Sequence, residues 1–152
     1  MSGQALPATA ECRCGATQIT VSAPAVLTAA CHCKGCQRMT ASAYSVSAMY
    51  PAPGFEVTKG TPVLGGLKDA DIQHYFCPEC MSWMFTRMSI FPDGVNVRAT
   101  LFDNLCWYAP FIETQTRDKH PWAEAGAAHL FHEFPSAEQI PALLAEFAEQ
   151  LD

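Results

Sequence analysis

The stretch Cys31-His32-Cys33-Lys34-Gly35-Cys36 places three thiols within six residues. Thiolates are soft ligands, and three of them fall one short of the four that close a structural zinc site. An ion held by this trio alone keeps a position open for water or substrate, the arrangement of a catalytic centre rather than a scaffold. Four more cysteines come in pairs, Cys12-Arg13-Cys14 followed by Gly15, and Cys77-Pro78-Glu79-Cys80. A C-x-C pair cannot easily bridge to itself, but a tight turn can present both sulfurs to one ion. C-x-x-C at the end of a strand reads as a zinc knuckle. A thioredoxin-type motif would need a helix next, and Ser82-Trp83-Met84-Phe85-Thr86 suggests a strand instead.

With Zn–S near about 2.3 Å, sulfurs of a tetrahedral site lie about 3.8 Å apart, so a pair from one turn needs a second turn alongside. Joining Cys12 and Cys14 to Cys77 and Cys80 makes a closed structural site that ties the start of the chain to its middle, and leaves Cys31, Cys33 and Cys36 with their own ion. A competing partition puts Cys12, Cys14, Cys31 and Cys33 on one ion and Cys36, Cys77, Cys80 and Cys106 on another. Spacing alone leaves both open. Cys106 lies among apolar neighbours in Leu105-Cys106-Trp107-Tyr108 and reads first as a small buried hydrophobe. His32 is expected to pack or to hydrogen-bond behind the ligands rather than to ligate. Lys34 and Arg38 flank the trio as solvated charges or as contacts for an anionic substrate. His120 is expected to accompany core packing of Trp122, and His74, His129 and His132 to be satisfied structural histidines. No general acid or base stands out.

The elements that must position these thiols read as short strands. Gln18 to Val21, Tyr44 to Tyr50, Phe55 to Thr58, Ile72 to Phe76, Ser82 to Thr86 and Val95 to Ala99 alternate or concentrate strand-forming residues between Pro- and Gly-bearing turns. Val26 to Ala30 is an apolar run leading into the trio. Residues 1–10 read as a loose lead-in, Phe91-Pro92-Asp93-Gly94 as a turn and Gly65-Gly66 as a flexible connection without the Lys-Ser or Lys-Thr of a phosphate cradle. The region from Leu101 to Trp122 is not placed. Ile140, Leu143, Leu144, Phe147 and Leu151 recur at helical spacing, predicting a C-terminal helix over about 140–151 that begins near Pro141 and is preceded by a short turn from Ser136.

Composition bounds the function. The 152 residues fit one zinc-binding domain, with a core expected over about 11–123. At 49% hydrophobic and 16% charged the chain is too apolar to be disordered. A net charge of -6 with nine scattered Lys and Arg disfavours nucleic acid. No apolar run approaches the roughly 20 residues of a membrane span, and the first residues lack a leader's pattern. A cytoplasmic address is therefore expected, in which the eight cysteines stay reduced.

C-x-C-G, then C-H-C-x-x-C-Q, then Tyr75-Phe76-Cys77-Pro78-Glu79-Cys80, Ala99-Thr100-Leu101-Phe102-Asp103 and Pro121-Trp122 resemble the glutathione-dependent formaldehyde-activating enzyme family, which includes centromere protein V. The resemblance implies a mainly β fold, a β-tent of short antiparallel strands. It implies a structural zinc on Cys12, Cys14, Cys77 and Cys80 and a catalytic zinc on Cys31, Cys33 and Cys36. It also implies a carbon–sulfur lyase joining glutathione to formaldehyde as S-hydroxymethylglutathione. Family members usually carry glycine where this chain has Met81 and Ala41, so either the turns differ there or both residues sit at mildly strained, unusual backbone angles. The rival readings are a zinc-stabilised binding module without catalysis and a cysteine redox protein.

Overall fold

The computed structural model describes residues 3–151. Two sheets carry the fold. β1 (Ala8–Glu11), β2 (Gln18–Val21) and β5 (Phe55–Lys59) form an antiparallel sheet in the order β1-β2-β5. The larger sheet contains β3 (Leu27–Cys31), β4 (Ser45–Pro51), β6 (Val63–Gly65), β7 (Ile72–Phe76), β8 (Trp83–Met88), β9 (Phe91–Arg98), β10 (Ile112–Thr114) and β11 (His129–Leu130). Its order is β11-β10-β3-β4-β9-β8-β7-β6. Two helices join them, α1 (Lys34–Thr40) and α2 (Ile140–Glu149).

Side chains alternate across a strand, so register decides which residues share a face. Val97 lies opposite Ala48 and Phe85, and Val95 opposite Tyr50. All five are buried, in one cluster with Ile19 and Val21 of the small sheet and Leu143 and Phe147 of α2. The other face is polar. Thr114 pairs with Cys31, Cys31 with Ser45, Ser47 with Arg98, Asn96 with Thr86, and Thr86 with His74. A single face of the sheet thus collects one thiol of the trio, four hydroxyl-bearing residues, a guanidinium and an imidazole.

α2 starts where the apolar spacing predicts, with Pro141 in its first turn, where its missing N–H costs no hydrogen bond. The Ser136 N–H donates to Gln139 Oε1 at 2.8 Å, which fixes the preceding turn. Burial of Leu143 and Phe147 against the sheet contributes on the order of 2 kcal/mol for each side chain.

Several expectations are corrected. The large sheet is not wholly antiparallel, because β10 runs parallel to both β3 and β11. This strand comes from the stretch left unplaced in the sequence, where three residues are too few to show a period. The lead-in is partly ordered: Ala8 to Ala10 belong to β1, while Met1 and Ser2 lie outside the described residues. Pro92-Asp93-Gly94 does not reverse the chain. The reversal is at Ser89-Ile90, and the Pro–Asp–Gly stretch is an irregularity inside β9, between the pairs Met88–Phe91 and Arg87–Val95. Proline is tolerated there because a bulged residue has no ladder bond to lose. Cys106 is exposed, and its neighbour Trp107 is the buried side chain. Trp122 is 74% exposed and stacks on the His120 ring rather than entering the core.

The two positions where glycine is usual do have left-handed backbone, with φ of 58° at Met81 and 50° at Ala41. Ala41 closes α1, its N–H bonded to the Gln37 carbonyl. A Cβ in this conformation costs about 1 kcal/mol, which glycine avoids. Ala41→Gly is expected to raise the urea midpoint by the equivalent of about 0.5–1 kcal/mol. An unchanged or lowered midpoint would show that Ala41 carries no strain.

Candidate metal centres

The sulfurs of Cys12, Cys14, Cys77 and Cys80 all lie within 4.8 Å of one another. Cys12 Sγ is 3.7 Å from Cys14 Sγ, and Cys14 Sγ is 3.9 Å from Cys77 Sγ. These match the sulfur–sulfur edge of about 3.8 Å in a tetrahedral zinc–thiolate site. Two turns build the cluster. In one, the Gly15 N–H bonds to the Cys12 carbonyl and the Thr17 N–H donates to Cys12 Sγ at 3.2 Å. In the other, the Met81 N–H bonds to the Cys77 carbonyl and the Cys77 N–H to the Ser82 carbonyl. Ser82 also links the turns, its Oγ accepting from the Arg13 N–H at 3.2 Å and lying 3.1 Å from Cys80 Sγ. The Ser82 hydroxyl, with the backbone N–H groups of Ser82 and Cys14, holds the Cys80 thiol down to about 5 against its burial.

Cys31, Cys33 and Cys36 form a second, separate group, their sulfurs also within 4.8 Å of one another. The fold therefore assembles the pair-with-pair grouping, and not the partition that splits the trio. Cys31 ends β3, Cys33 caps α1 and Cys36 lies in its first turn, so one strand-to-helix junction delivers all three. The short α1 was not legible in the sequence, since it has no buried residue and hence no apolar period. Cys33 Sγ accepts the Cys36 N–H at 3.2 Å, the role usually filled by Ser or Asp at a helix start. S–H groups of Cys31 and Cys36, joined by the N–H groups of Cys36 and Gly35, hold Cys33 down to about 2 despite partial burial. Cys36, facing both other sulfurs, is pushed far up. A thiophilic cation binds such a group as thiolates, so its entry would release the protons the three sulfurs share.

His32, between two of these cysteines, is fully buried and points away from the sulfurs into an ion cluster. Its Nε2 lies 2.8 Å from Glu113 Oε2, which also receives Lys119 Nζ at 3.0 Å, while the Ala127 N–H donates to Oε1. Because an ionised carboxylate only accepts, Nε2 carries the hydrogen. Gln37 of α1 ties the junction further, donating to the His32 carbonyl at 2.7 Å and the Asp118 carbonyl at 3.0 Å, with its Oε1 at 2.9 Å from His120 Nε2. The expectation that His32 acts from behind the thiols rather than as one of the grouped donors agrees with this geometry.

Next to the trio lies an open cleft of about 840 Å³ lined by Met39 and Thr40 of α1, Tyr44, Ser45, Trp83 and Arg98, with Met81 and Trp122 among its other walls. Ser45 belongs to both places, lining the cleft while it pairs with Cys31 across the β3–β4 ladder and acts to lower the Cys36 pKa. Lys34 and Arg38, the expected anion contacts, are exposed and absent from this lining. Two residues of this lining, Arg98 and Trp83, escaped the sequence reading as site residues. Arg98 is 7% exposed with its guanidinium carbon 4.0 Å from the centre of the Trp83 ring. The Trp83 indole N–H donates to Thr86 Oγ1, which is 2.9 Å from His74 Nδ1. Burial, with the Arg98 charge, lowers the His74 pKa. The available signal was the alternation Val95-Asn96-Val97-Arg98, which sets Arg98 on the face opposite the buried valines.

The sequence profile of the family described as glutathione-dependent formaldehyde-activating enzyme matches residues 7–118. No curated protein matches the chain. A crystal structure of a Rhodobacter sphaeroides protein is similar in fold, with a TM-score of 0.50 and 20% identity over 63% of this chain and 88% of that one. The matched span contains both cysteine clusters, every strand but β11 and the Glu113 carboxylate, so this chain belongs to the glutathione-dependent formaldehyde-activating enzyme family.

Proposed function

We propose that the protein is a zinc-dependent carbon–sulfur lyase that interconverts a glutathione-type thiol plus formaldehyde with the S-hydroxymethyl adduct. The observation that carries this reading is the unequal pair of thiol clusters within one family member: four sulfurs that close a tetrahedron, and three that leave it open beside a cleft. Cys12, Cys14, Cys77 and Cys80 are the structural ligands in this reading, and Cys31, Cys33 and Cys36 the catalytic ones. A zinc ion on three thiolates supplies an open position at which an entering thiol loses its proton at neutral pH.

The chain's own part is to prepare that position. The Cys36 N–H donates to Cys33 Sγ, and Ser45 and Thr114, paired with Cys31 from the two strands that flank β3, favour the charged forms of Cys36 and Cys31. In the net reaction a carbon–sulfur bond forms, the carbonyl π bond breaks, and the thiol hydrogen ends on the former carbonyl oxygen. No redox partner is needed. All eight cysteines are free thiols, as a reducing compartment would keep them, and no helix among the described residues is long and apolar enough to cross a membrane.

Zinc analysis of the gently purified protein, combined with an exchange assay between glutathione, formaldehyde and S-hydroxymethylglutathione, tests the proposal. The expected result is two zinc ions per chain and exchange well above the spontaneous rate. A limited amount of chelator should remove one ion per chain and the activity together, while the cooperative urea transition persists. Two bound ions with no rate above background would overturn the enzyme reading in favour of a binding module.

A further inference from the structure

Arg98 is a buried cation without a carboxylate partner, and the acidic groups whose charge reaches it are thiols of the trio, Cys36 and Cys31. Among the described residues, no Asp or Glu forms an ion pair with it and none of its guanidinium N–H groups has a hydrogen-bond partner. Its Nε is shut off from solvent altogether. Keeping a charge away from water without a direct hydrogen-bonding partner is unfavourable unless something recovers the loss. The surroundings are shaped for recovery. The guanidinium sits over the face of Trp83, a contact that leaves its donor edges free, and both residues line the cleft beside the trio. The cleft is of the size of small-ligand sites in general, and its exposed walls mix the apolar Trp122 and Met81 with the polar Ser42, Thr100 and Glu124. Thr40, Ser42 and Ser45 add hydroxyls, and Glu124 is the sole acidic wall.

We propose that Arg98 is the carboxylate receptor of this cleft, binding a carboxylate of the thiol substrate by a forked pair of charged hydrogen bonds while the substrate's sulfur reaches the trio. This rests on the thiol-adduct reading above and makes it more specific: the substrate class is a thiol that carries a carboxylate, and Arg98 is a binding and specificity residue rather than a participant in bond making. The competing use of the charge is to balance the thiolates of the trio. The charges of Cys36 and Cys31 do act on Arg98 through space, but among the described residues it makes no hydrogen bond to a sulfur of the trio, whereas a carboxylate matches the planar fork in both shape and charge.

Calorimetric binding of glutathione and of its diamide, in which both carboxylates become neutral amides of the same shape, tests this on the zinc-loaded protein. The wild type should bind glutathione roughly 10- to 100-fold more tightly than the diamide. In Arg98→Gln the preference should fall to about twofold, with the zinc content unchanged, and Arg98→Lys should restore part of it. An unchanged preference in a folded Arg98→Gln overturns the proposal. So does a preserved preference accompanied by loss of one zinc, since the charge would then serve the trio. If Arg98→Gln does not fold, Arg98→Lys decides: its point charge should bind glutathione several-fold more weakly and leave diamide binding unaltered, and equal losses for both ligands overturn the assignment. Because the measurement reads binding, carboxylate preference without any turnover would sink only the lyase reading, and turnover without carboxylate preference would sink only the role of Arg98.

Discussion

Cys77→Ser is expected to abolish cooperative folding, whereas Cys33→Ser should leave the fold nearly intact and remove activity. Cys77 is completely buried and joins the C-x-x-C turn to the turn of Cys12 and Cys14, which are far from it in sequence. Metal binding at such a closed site is folding free energy, and values on the order of 10 kcal/mol are typical for structural zinc. Removing one thiolate forfeits a large part of this, against a total stability of about 5–15 kcal/mol for an ordinary domain. Cys33 stands at a different kind of position. It caps a seven-residue helix that has no buried side chain, and serine can accept the Cys36 N–H there as well as sulfur does. The predicted cost is below about 1 kcal/mol. Circular dichroism, zinc content and urea unfolding on the two variants check the contrast: Cys77→Ser should lose both its zinc and its transition, and Cys33→Ser should retain one zinc and a midpoint close to the wild type. If both variants unfold equally, the division between a structural and a catalytic centre fails.

That contrast also shows which parts of the site were legible in the sequence. The two clusters could be read because metal-ligand spacing is a local property: Cys12 and Cys14 sit on one turn, Cys77 and Cys80 on another, and the trio spans one strand-to-helix junction. Which turns meet is tertiary information, and spacing left two partitions open until the fold brought the sulfurs of Cys14 and Cys77 to 3.9 Å. The alternating strands and the helix of Leu143 and Phe147 were legible because each buries one face. β10 was not, because its burial depends on pairing with β3 and β11, and Ile112-Glu113-Thr114 has a fully buried carboxylate at its centre, which no pattern of apolar residues anticipates. Arg98 was hidden for the same reason. A charge at the end of a strand suggests solvent, and only the register opposite Ser47 turns it toward the cleft. Met81 and Ala41 stand between the two cases: replacement of an expected glycine left either altered turns or strained backbone, and the left-handed φ found at both selects the second.

Glu113→Gln is expected to cost about 3 kcal/mol near neutral pH and to loosen the trio from behind, because breaking a buried ion pair leaves its partners uncompensated. Lys119 would keep only the exposed Glu124 at 3.5 Å, and His32 Nε2 would face an amide in place of a carboxylate. Burial pushes the Glu113 carboxyl up, but hydrogen bonds from Lys119, His32 and the Ala127 N–H outweigh it and hold the group below its ordinary value. An acid depressed in the fold stabilises fully above its unfolded pKa of about 4.3, and that share is lost as pH falls through the lower folded value. The Lys119 ammonium, raised mainly by its hydrogen bond to Glu113, stabilises fully below its unfolded pKa of about 10.4 and loses its share as pH rises through the higher folded value. The stability gap between wild type and Glu113→Gln should therefore be widest between about pH 5 and pH 10 and should close toward acid. His32 lies directly between Cys31 and Cys33, so slackening its ring should also weaken zinc at the trio by roughly 10- to 100-fold while leaving the four-sulfur site loaded. Urea midpoints from pH 3 to 10, taken with competitive chelation at pH 7, measure both effects, on conditions that bracket the values above. A pH-independent gap would mean that Glu113 acts by shape rather than charge, and unaltered zinc affinity at the trio would separate the buried ion cluster from the metal site it stands behind.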